Sequence, residues 1–480
     1  MGTRRSLFFS FLDRYASLLI SVVSSMVIAR LLTPAEIGVF SVTMVLLMYV
    51  STVRDMGAGQ YLLQEKELTT ERIRAVWAVQ LGLGLGLACV VLLASSPLAT
   101  FYNEPRMRDI LVVVALNYAI NPFGSLTYAW LMREMRFESV ALMRFSAGLG
   151  GAVVSIWLAW KGFGPISLAY GSLASTMVNA LLAVFYRPKS FPWLPGLAEI
   201  KRVLVFGSQL TASTVVTTVS SSAPELLLGK LQDLAAVGLY SRASGLVQMF
   251  HRLFVDAVGA VCLPWFARHG REQGDFVEPF LKATAYVTAL GWSFCLGIIC
   301  LAHPVVRVLY GSQWDQSVDL ARLLAVAMAF SVPAALCQTA LLSAGAVTII
   351  ARVTVLSALQ GLVLVAIGAT QGLIFLGFTS ILAAAIAAVI ALRATSKHIG
   401  LSLFQLLPTL GQSAVVALLA SIGPVLALWT YGPYPEVLML PLALGGLGAL
   451  VGFVIGVFSV NHPLKSDLIA AWIQLVDAKH

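Results

Sequence analysis

Long apolar runs alternate with short polar connectors along the entire chain. Runs at about 8–32, 36–63, 74–96, 108–131, 140–160, 163–185, 201–228, 234–264, 280–302, 318–343, 350–370, 372–392, 408–430 and 436–459 predict helices. Each approaches or exceeds the roughly 20 residues that cross a bilayer's hydrocarbon as an α-helix. The longest connectors, 64–73, 186–200 and 265–279, are basic and too short to fold as domains. The 186–200 connector carries Pro188, Pro192, Pro195 and Trp193, the composition of an elbow lying at the headgroups. Past the last run, Leu464, Leu468, Trp472, Leu475 and Val476 share one face of a short amphipathic helix, which predicts an interfacial anchor.

The pattern repeats. Residues 29–41 (Ala29-Arg30-Leu31 through Ser41) align with 229–241, with Leu31, Ala35, Gly38 and Ser41 recurring as Leu231, Ala235, Gly238 and Ser241. Phe101-Tyr102 is echoed by Leu309-Tyr310 after the third run of each half. Two related halves of several helices each follow from this.

Composition agrees with the periodicity. The chain is 59% hydrophobic and 11% charged with a mean hydropathy of +0.88, far from a soluble globule, whose charged share is about a quarter. This is the signature of an all-α polytopic membrane protein. Arg4 and Arg5 precede a run too long for a signal peptide's core, with no small-x-small site after it, so the first helix is expected in the mature chain. The 31 Lys and Arg residues divide 20 to 6 in favour of the side holding both termini, with the rest inside spans, which predicts cytoplasmic termini. That division also accounts for the net charge of +9 without a nucleic-acid partner. Cys89, Cys262, Cys295, Cys300 and Cys337 form no C-x-x-C pair, so neither a disulfide nor a metal site is suggested.

Charges inside the runs are the candidate chemistry. Arg14, Arg54 and Arg252 lie deep, where an arginine costs about 2.5–3.5 kcal/mol even on insertion scales. Arg54 adjoins Asp55 and Arg252 precedes Asp256 by one turn, so ion pairing is one reading and a cationic cavity for an anionic substrate is the other. Arg242 and Arg322 lie within two turns of the outer face, close enough to snorkel, and Arg242 joins the substrate-binding candidates. Glu225, His251, Asp55 and Asp256 are the candidates for coupling or gating. Polar stripes run down the first helix of each half, through Arg14, Ser17, Ser21 and Ser24 and through Thr211, Thr214, Thr218, Ser221 and Glu225; ordinary helix contacts explain small hydroxyls equally well. Neither a nucleotide loop, a zinc spacing nor a nucleophile motif is present, so no enzyme, cofactor or metal is expected.

At 29–38, at Asp55-Met56-Gly57-Ala58-Gly59-Gln60, at Phe101-Tyr102-Asn103-Glu104-Pro105, at Asn121-Pro122-Phe123-Gly124 and at Arg133-Glu134-Met135-Arg136-Phe137, the chain resembles Wzx-type flippases. These form the polysaccharide transporter family of the multidrug/oligosaccharidyl-lipid/polysaccharide exporter superfamily. The resemblance implies two pseudo-symmetric six-helix lobes plus two C-terminal helices, about fourteen spans in all. Applied here it gives an N-terminal lobe over 1–185, an interfacial linker at 186–200, a C-terminal lobe over 201–400, two helices within 401–460 and a cytoplasmic tail at 461–480. It implies export of an undecaprenyl-diphosphate-linked oligosaccharide (an O-antigen, capsule or exopolysaccharide repeat unit) across the bacterial inner membrane by alternating access. The basic cavity residues would face the diphosphate, which carries over to Arg14, Arg54 and Arg252 by position only. Membrane lipids, a polysaccharide polymerase and assembly proteins are the further partners implied. The rivals are a cation-coupled small-molecule or drug antiporter of the same superfamily and a membrane-embedded glycan enzyme, which would need carboxylates on a larger external loop.

Overall fold

In a hydrocarbon environment each backbone N–H and C=O must be satisfied within its own segment, so apolar runs of this length become helices. The computed structural model describes residues 3–55, 59, 61–62, 65, 67–189, 191–272, 275–467 and 469, with backbone alone at 3–15, 53, 55, 205–217, 219–221 and 271. Every regular element among them is helical. Twelve helices are long and apolar enough to cross a membrane among the described residues. Two further long helices, α1 (Thr3–Leu31) and α7 (Ile200–Leu231), complete an order matching the sequence pattern of about fourteen segments.

Packing divides the chain into residues 1–238 and 239–480. The first unit holds α1, α2 (Pro34–Asp55), α3 (Thr70–Phe101), α4 (Arg106–Arg133), α5 (Phe137–Trp160), α6 (Ile166–Tyr186), α7 and the start of α8 (Leu234–Phe250). Here α3 packs on α4, α4 and α5 on α6, α1 on α5, and α2 on α7. Trp77, Tyr118, Met107, Ile110, Leu111 and Leu126 fill its interior. Packing thus groups α7, which opens the second sequence repeat, with the first half, because it is held against α2.

The 187–199 connector docks on the start of α3. Trp77 Nε1 donates to Trp193 O at 2.9 Å, the Gly196 amide donates to Arg74 O at 3.1 Å, and the Arg187 guanidinium stacks 4.0 Å over Trp193 and 5.2 Å over Trp77. Burial among these rings lowers the Arg187 pKa from its ordinary value.

The second unit contains the rest of α8, a π-helical turn at His251–Val255, α9 (Asp256–Glu272), α10 (Val277–Leu309), α11 (Val318–Ser331), α12 (Cys337–Ser343), α13 (Val347–Gln371), α14 (Leu373–Ile399), α15 (Leu403–Tyr431) and α16 (Met439–Ser459). Two expected spans are interrupted helices. The run at 234–264 is broken by the π turn, where the Asp256 amide donates to His251 O. The run at 318–343 passes through a 3-10 turn at Val332–Ala334, whose Pro333 has no N–H for an α-helical bond. α15 and α16 cross with backbones in contact at Gly423 and Gly448, where a Cβ on Gly423 would lie 2.5 Å from the Gly448 Cα. α15 is tied to α10 by a 2.8 Å hydrogen bond from Thr288 to Ser413. Of the expected amphipathic tail, Leu464 packs onto the cluster of Ala289, Val416 and Val457; Leu468, Trp472, Leu475 and Val476 lie outside the residues described in side-chain detail.

Candidate functional site

Arg54 stands in the last turn of α2 with its guanidinium 5.5 Å from the Tyr118 ring centroid. Tyr118 on α4 is 2% exposed, and its hydroxyl donates to Leu47 O at 2.7 Å and lies 3.0 Å from Ser51 Oγ. Both contacts return to α2, so α4 supplies a fixed aromatic seat beneath the arginine. A cation against a ring face gains about 0.5–2 kcal/mol, more where water is excluded. The sequence offered no signal for this seat, because a mid-span tyrosine reads as one more apolar residue. Arg14 lies in α1 and Asp55 ends α2, but their side chains fall outside the described residues, as do those of Thr211, Thr214 and Ser221.

In the second unit the candidates gather at the π turn. His251 and Arg252 begin it, and Asp256 follows it. His251 Nε2 lies 3.6 Å from Asp256 Oδ1, and both side chains are 55% exposed. The histidine therefore faces a carboxylate instead of sitting packed in a core. Arg252, also exposed, belongs to the same turn. A π turn widens one helical turn by a residue and occurs frequently at functional positions. Phe250 stacks on Phe254 and Phe294 at centroid distances of 5.2 and 5.4 Å, which braces the widened turn.

Arg242 is placed differently. It is seated between Tyr310 and Trp314, 5.4 and 5.6 Å from their centroids, and Trp314 is wholly buried. Its surroundings are those of a packed aromatic dock. Arg322 bonds Asp319 at 2.8 Å and lies over the Tyr434 ring, a paired charge at the end of its helix. Glu225 follows the buried Pro224 near the end of α7; it is half-buried and has no hydrogen-bonding or charged partner among the described residues.

The repeated stretches have the same local structure: a helix ending at Leu31 or Leu231, then a bend and a new helix starting at Pro34 or Leu234. Thr33 and Glu36 form a reciprocal capping box, the Glu36 carboxylate accepting the Thr33 amide at 2.8 Å while Thr33 Oγ1 accepts the Glu36 amide at 3.3 Å. In the second copy Asp233 Oδ1 accepts the Ala236 amide at 2.6 Å. The two turns pack on each other. A Cβ on Gly38 would fall 1.6 Å from Leu234 O, and one on Gly238 would fall 2.0 Å from Pro34 O. Ala35 and Ala235 line a shared cavity of about 440 Å³ beside this contact. Lys230 closes one side, donating to Phe101 O at 2.7 Å. The nearby α3–α4 turn is held by Arg106, whose hydrogen bonds keep the Glu104 carboxyl below the usual carboxylate range.

Among the described residues no group of three or more His, Cys, Asp or Glu side chains could hold a metal. A family model described as polysaccharide biosynthesis protein matches residues 27–319. The chain is 25% identical over 334 residues to the succinoglycan biosynthesis transport protein ExoT of Rhizobium meliloti (strain 1021), covering 68% of this chain and 67% of that one. It is 22% identical over 313 residues to the lipopolysaccharide biosynthesis protein WzxC of Escherichia coli (strain K12), covering 64% and 63%. The alignments thus span about two thirds of the first relative's length and slightly less of the second's. Among solved structures, the lipid II flippase MurJ in an inward closed conformation matches with a TM-score of 0.76 at 13% identity, over 95% of this chain and 100% of that one.

Proposed function

Because the chain belongs to the polysaccharide biosynthesis protein family, we propose that it is a flippase carrying a polyprenyl-diphosphate-linked oligosaccharide across the bacterial inner membrane by alternating access. The observation that carries this reading is an arginine within the corresponding apolar run of each repeat: Arg54 on its tyrosine seat and Arg252 on the π turn. A guanidinium presents a planar fork that matches two phosphate oxygens, and charge-assisted bonds of that kind are about twice as strong as neutral ones. Arg14 would join them from α1, while the seated Arg242 would act mainly by positioning. No covalent change to the glycan is involved. Both termini lie in the cytoplasm, and a polymerase and assembly proteins receive the exported unit.

The antiporter reading draws on a separate observation. Glu225 and the His251–Asp256 pair are groups that a proton or cation could satisfy. In a flippase they would couple export to an ion gradient, together with Asp55. Purified protein in liposomes with a fluorescent polyprenyl-diphosphate glycan tests the proposal. A change in the glycan's sidedness with its bonds intact supports flipping, bond cleavage or transfer means an enzyme, and neither change favours the antiporter.

A further inference from the structure

The cavity of about 440 Å³ beside the paired turns carries more polar chemistry than a gate needs. Three segments build it: Ala35 comes from the first turn, Phe101, Tyr102 and Asn103 from the α3–α4 turn, and Lys230, Asp233 and Ala235 from the second. Each segment is described with its side chains throughout, over 29–50, 95–110 and 222–240. Two formal charges of opposite sign, Lys230 and Asp233, line the space. Beyond the lining, Glu36 is engaged in its cap with Thr33, and Glu104 is paired with Arg106 at 2.8 Å.

The polar groups keep hydrogen-bonding capacity. Asp233 Oδ1 accepts the Ala236 amide at 2.6 Å, whereas Oδ2 has no hydrogen bond among the described residues. Lys230 Nζ donates one N–H to Phe101 O and rests 4.0 Å from the Phe101 ring centroid. Asn103 stands at a φ of 52°, its backbone N–H donating to Thr100 O at 3.2 Å, and its side-chain amide has no partner among the described residues. Phe101 and Tyr102 meet edge to face at 5.0 Å and form, with Ala35 and Ala235, the apolar part of the wall.

We propose that this pocket binds an uncharged pyranose of the exported glycan at the outer rim, and that the bound sugar favours the closed arrangement of the turns. The inference rests on the flippase reading and on the topology that puts these turns outside; it deepens that reading by adding a site for the product. A carboxylate only accepts, an ammonium only donates and an amide does both, a set that sugar hydroxyls, which also do both, satisfy together. An anion would face Asp233 and a cation would face Lys230. A zwitterion balances the charges, but the cation seat on the Phe101 ring is already taken by Lys230. A pyranose has about a dozen heavy atoms, and pockets of about 300–1,000 Å³ are the usual size for small ligands. Because both turns contribute walls, parting them dismantles the pocket, so a ligand held there binds the closed state better and shifts the gate toward it.

Saturation-transfer NMR on the full chain in lipid nanodiscs, without sugar-based detergent, tests this. The probes are the methyl glycosides of D-glucose, D-galactose and D-mannose, against D-glucuronate, D-glucosamine and phosphoethanolamine. At least one methyl glycoside should bind threefold or more tightly than every charged probe. Asn103→Gly, which suits the positive φ, and Lys230→Met should each weaken that binding at least threefold; if one variant does not fold, the other decides. Gly38→Ala should also weaken it at least threefold by parting the turns, or Gly238→Ala in its place if the first does not fold, whereas Gly245→Ala should leave it unchanged. Absence of glycoside binding, a charged probe bound as tightly, binding that survives Asn103→Gly or Lys230→Met, or binding that is indifferent to parting the turns would each overturn the proposal. The assay reads binding without transport, so loss of the flippase reading would appear in the liposome experiment and leave this result standing.

Discussion

Gly38→Ala probes the paired turns most directly. The added Cβ would stand 1.6 Å from Leu234 O and 2.6 Å from its carbonyl carbon, both backbone atoms that no rotamer change can move. An ordinary carbon-to-carbonyl-oxygen contact is about 3.3 Å, so the turns must separate by roughly 1.7 Å. Forcing extra volume into a packed contact costs about 1–3 kcal/mol. If the contact is one state of a two-state gate, that energy moves the equilibrium about 5- to 150-fold toward the parted state. The assay uses a chain with its five native cysteines replaced, carrying Ala35→Cys and Ala235→Cys, whose positions line one cavity beside the contact. A short reducible crosslinker should join them and stop glycan export, and reduction should restore it. Adding Gly38→Ala should lower the crosslinking yield, whereas Gly245→Ala, on the same helix as Gly238 and with nothing within 4 Å, should not. Membrane levels measured alongside separate a shifted gate from a lost protein. Unchanged crosslinking and export in the Gly38→Ala, Gly238→Ala double variant would refute the reasoning.

Arg54→Ala or Arg252→Ala should abolish export at unchanged membrane levels, while lysine at either site keeps part of it because the charge remains; full export by both alanine variants combined would rule these residues out as diphosphate ligands. Tyr118→Leu should reduce export partially, because it removes the seat under Arg54 but leaves the charge, and a wild-type rate would make the seat irrelevant. Reporter fusions after Lys189 and Lys397 should read cytoplasmic and one after Arg106 external, and an external reading at Lys189 would invert the topology. Glu104 has a folded pKa lowered by Arg106, so its stabilisation is present above the unfolded carboxylate value of about 4.3 and fades as pH falls through the lower folded value. Glu104→Gln should therefore lower the melting temperature at neutral pH, by the equivalent of about 0.2–1 kcal/mol, and lose its effect in strong acid.

The membrane-spanning helices were legible because hydrocarbon imposes one rule on every run, and the repeat was legible because Gly38 and Gly238 make the same contact twice. Each glycine meets the backbone at the head of the other turn, so neither position tolerates a side chain and both copies keep the residue. The interruptions were not legible. The π turn at His251–Val255 lies in a stretch, 246–258, with no proline or glycine, and a widened turn leaves the hydrophobic period nearly intact. The aromatic seats were hidden as well: Tyr118 satisfies an apolar pattern as well as leucine would, Tyr310 and Trp314 fall in the connector after the run at 280–302, and their role appears only when α4 or the turn after α10 brings them under an arginine.

The π turn also explains how the two copies of the repeat diverge. Through residue 241 they align without a gap at an offset of 200. A π turn accommodates one extra residue within a helix, so beyond His251–Val255 the matching offset becomes 201 and Asp256 corresponds to Asp55. The acid after the bend is thus shared by both copies, while the basic residue is not equivalent: Arg54 immediately precedes its aspartate, and Arg252 stands a turn earlier, within the insertion. Symmetry governs the turns that meet at Gly38 and Gly238, and it lapses where the charges lie. A gate formed from two equivalent elements benefits from symmetry, because each contact is made and broken with its counterpart.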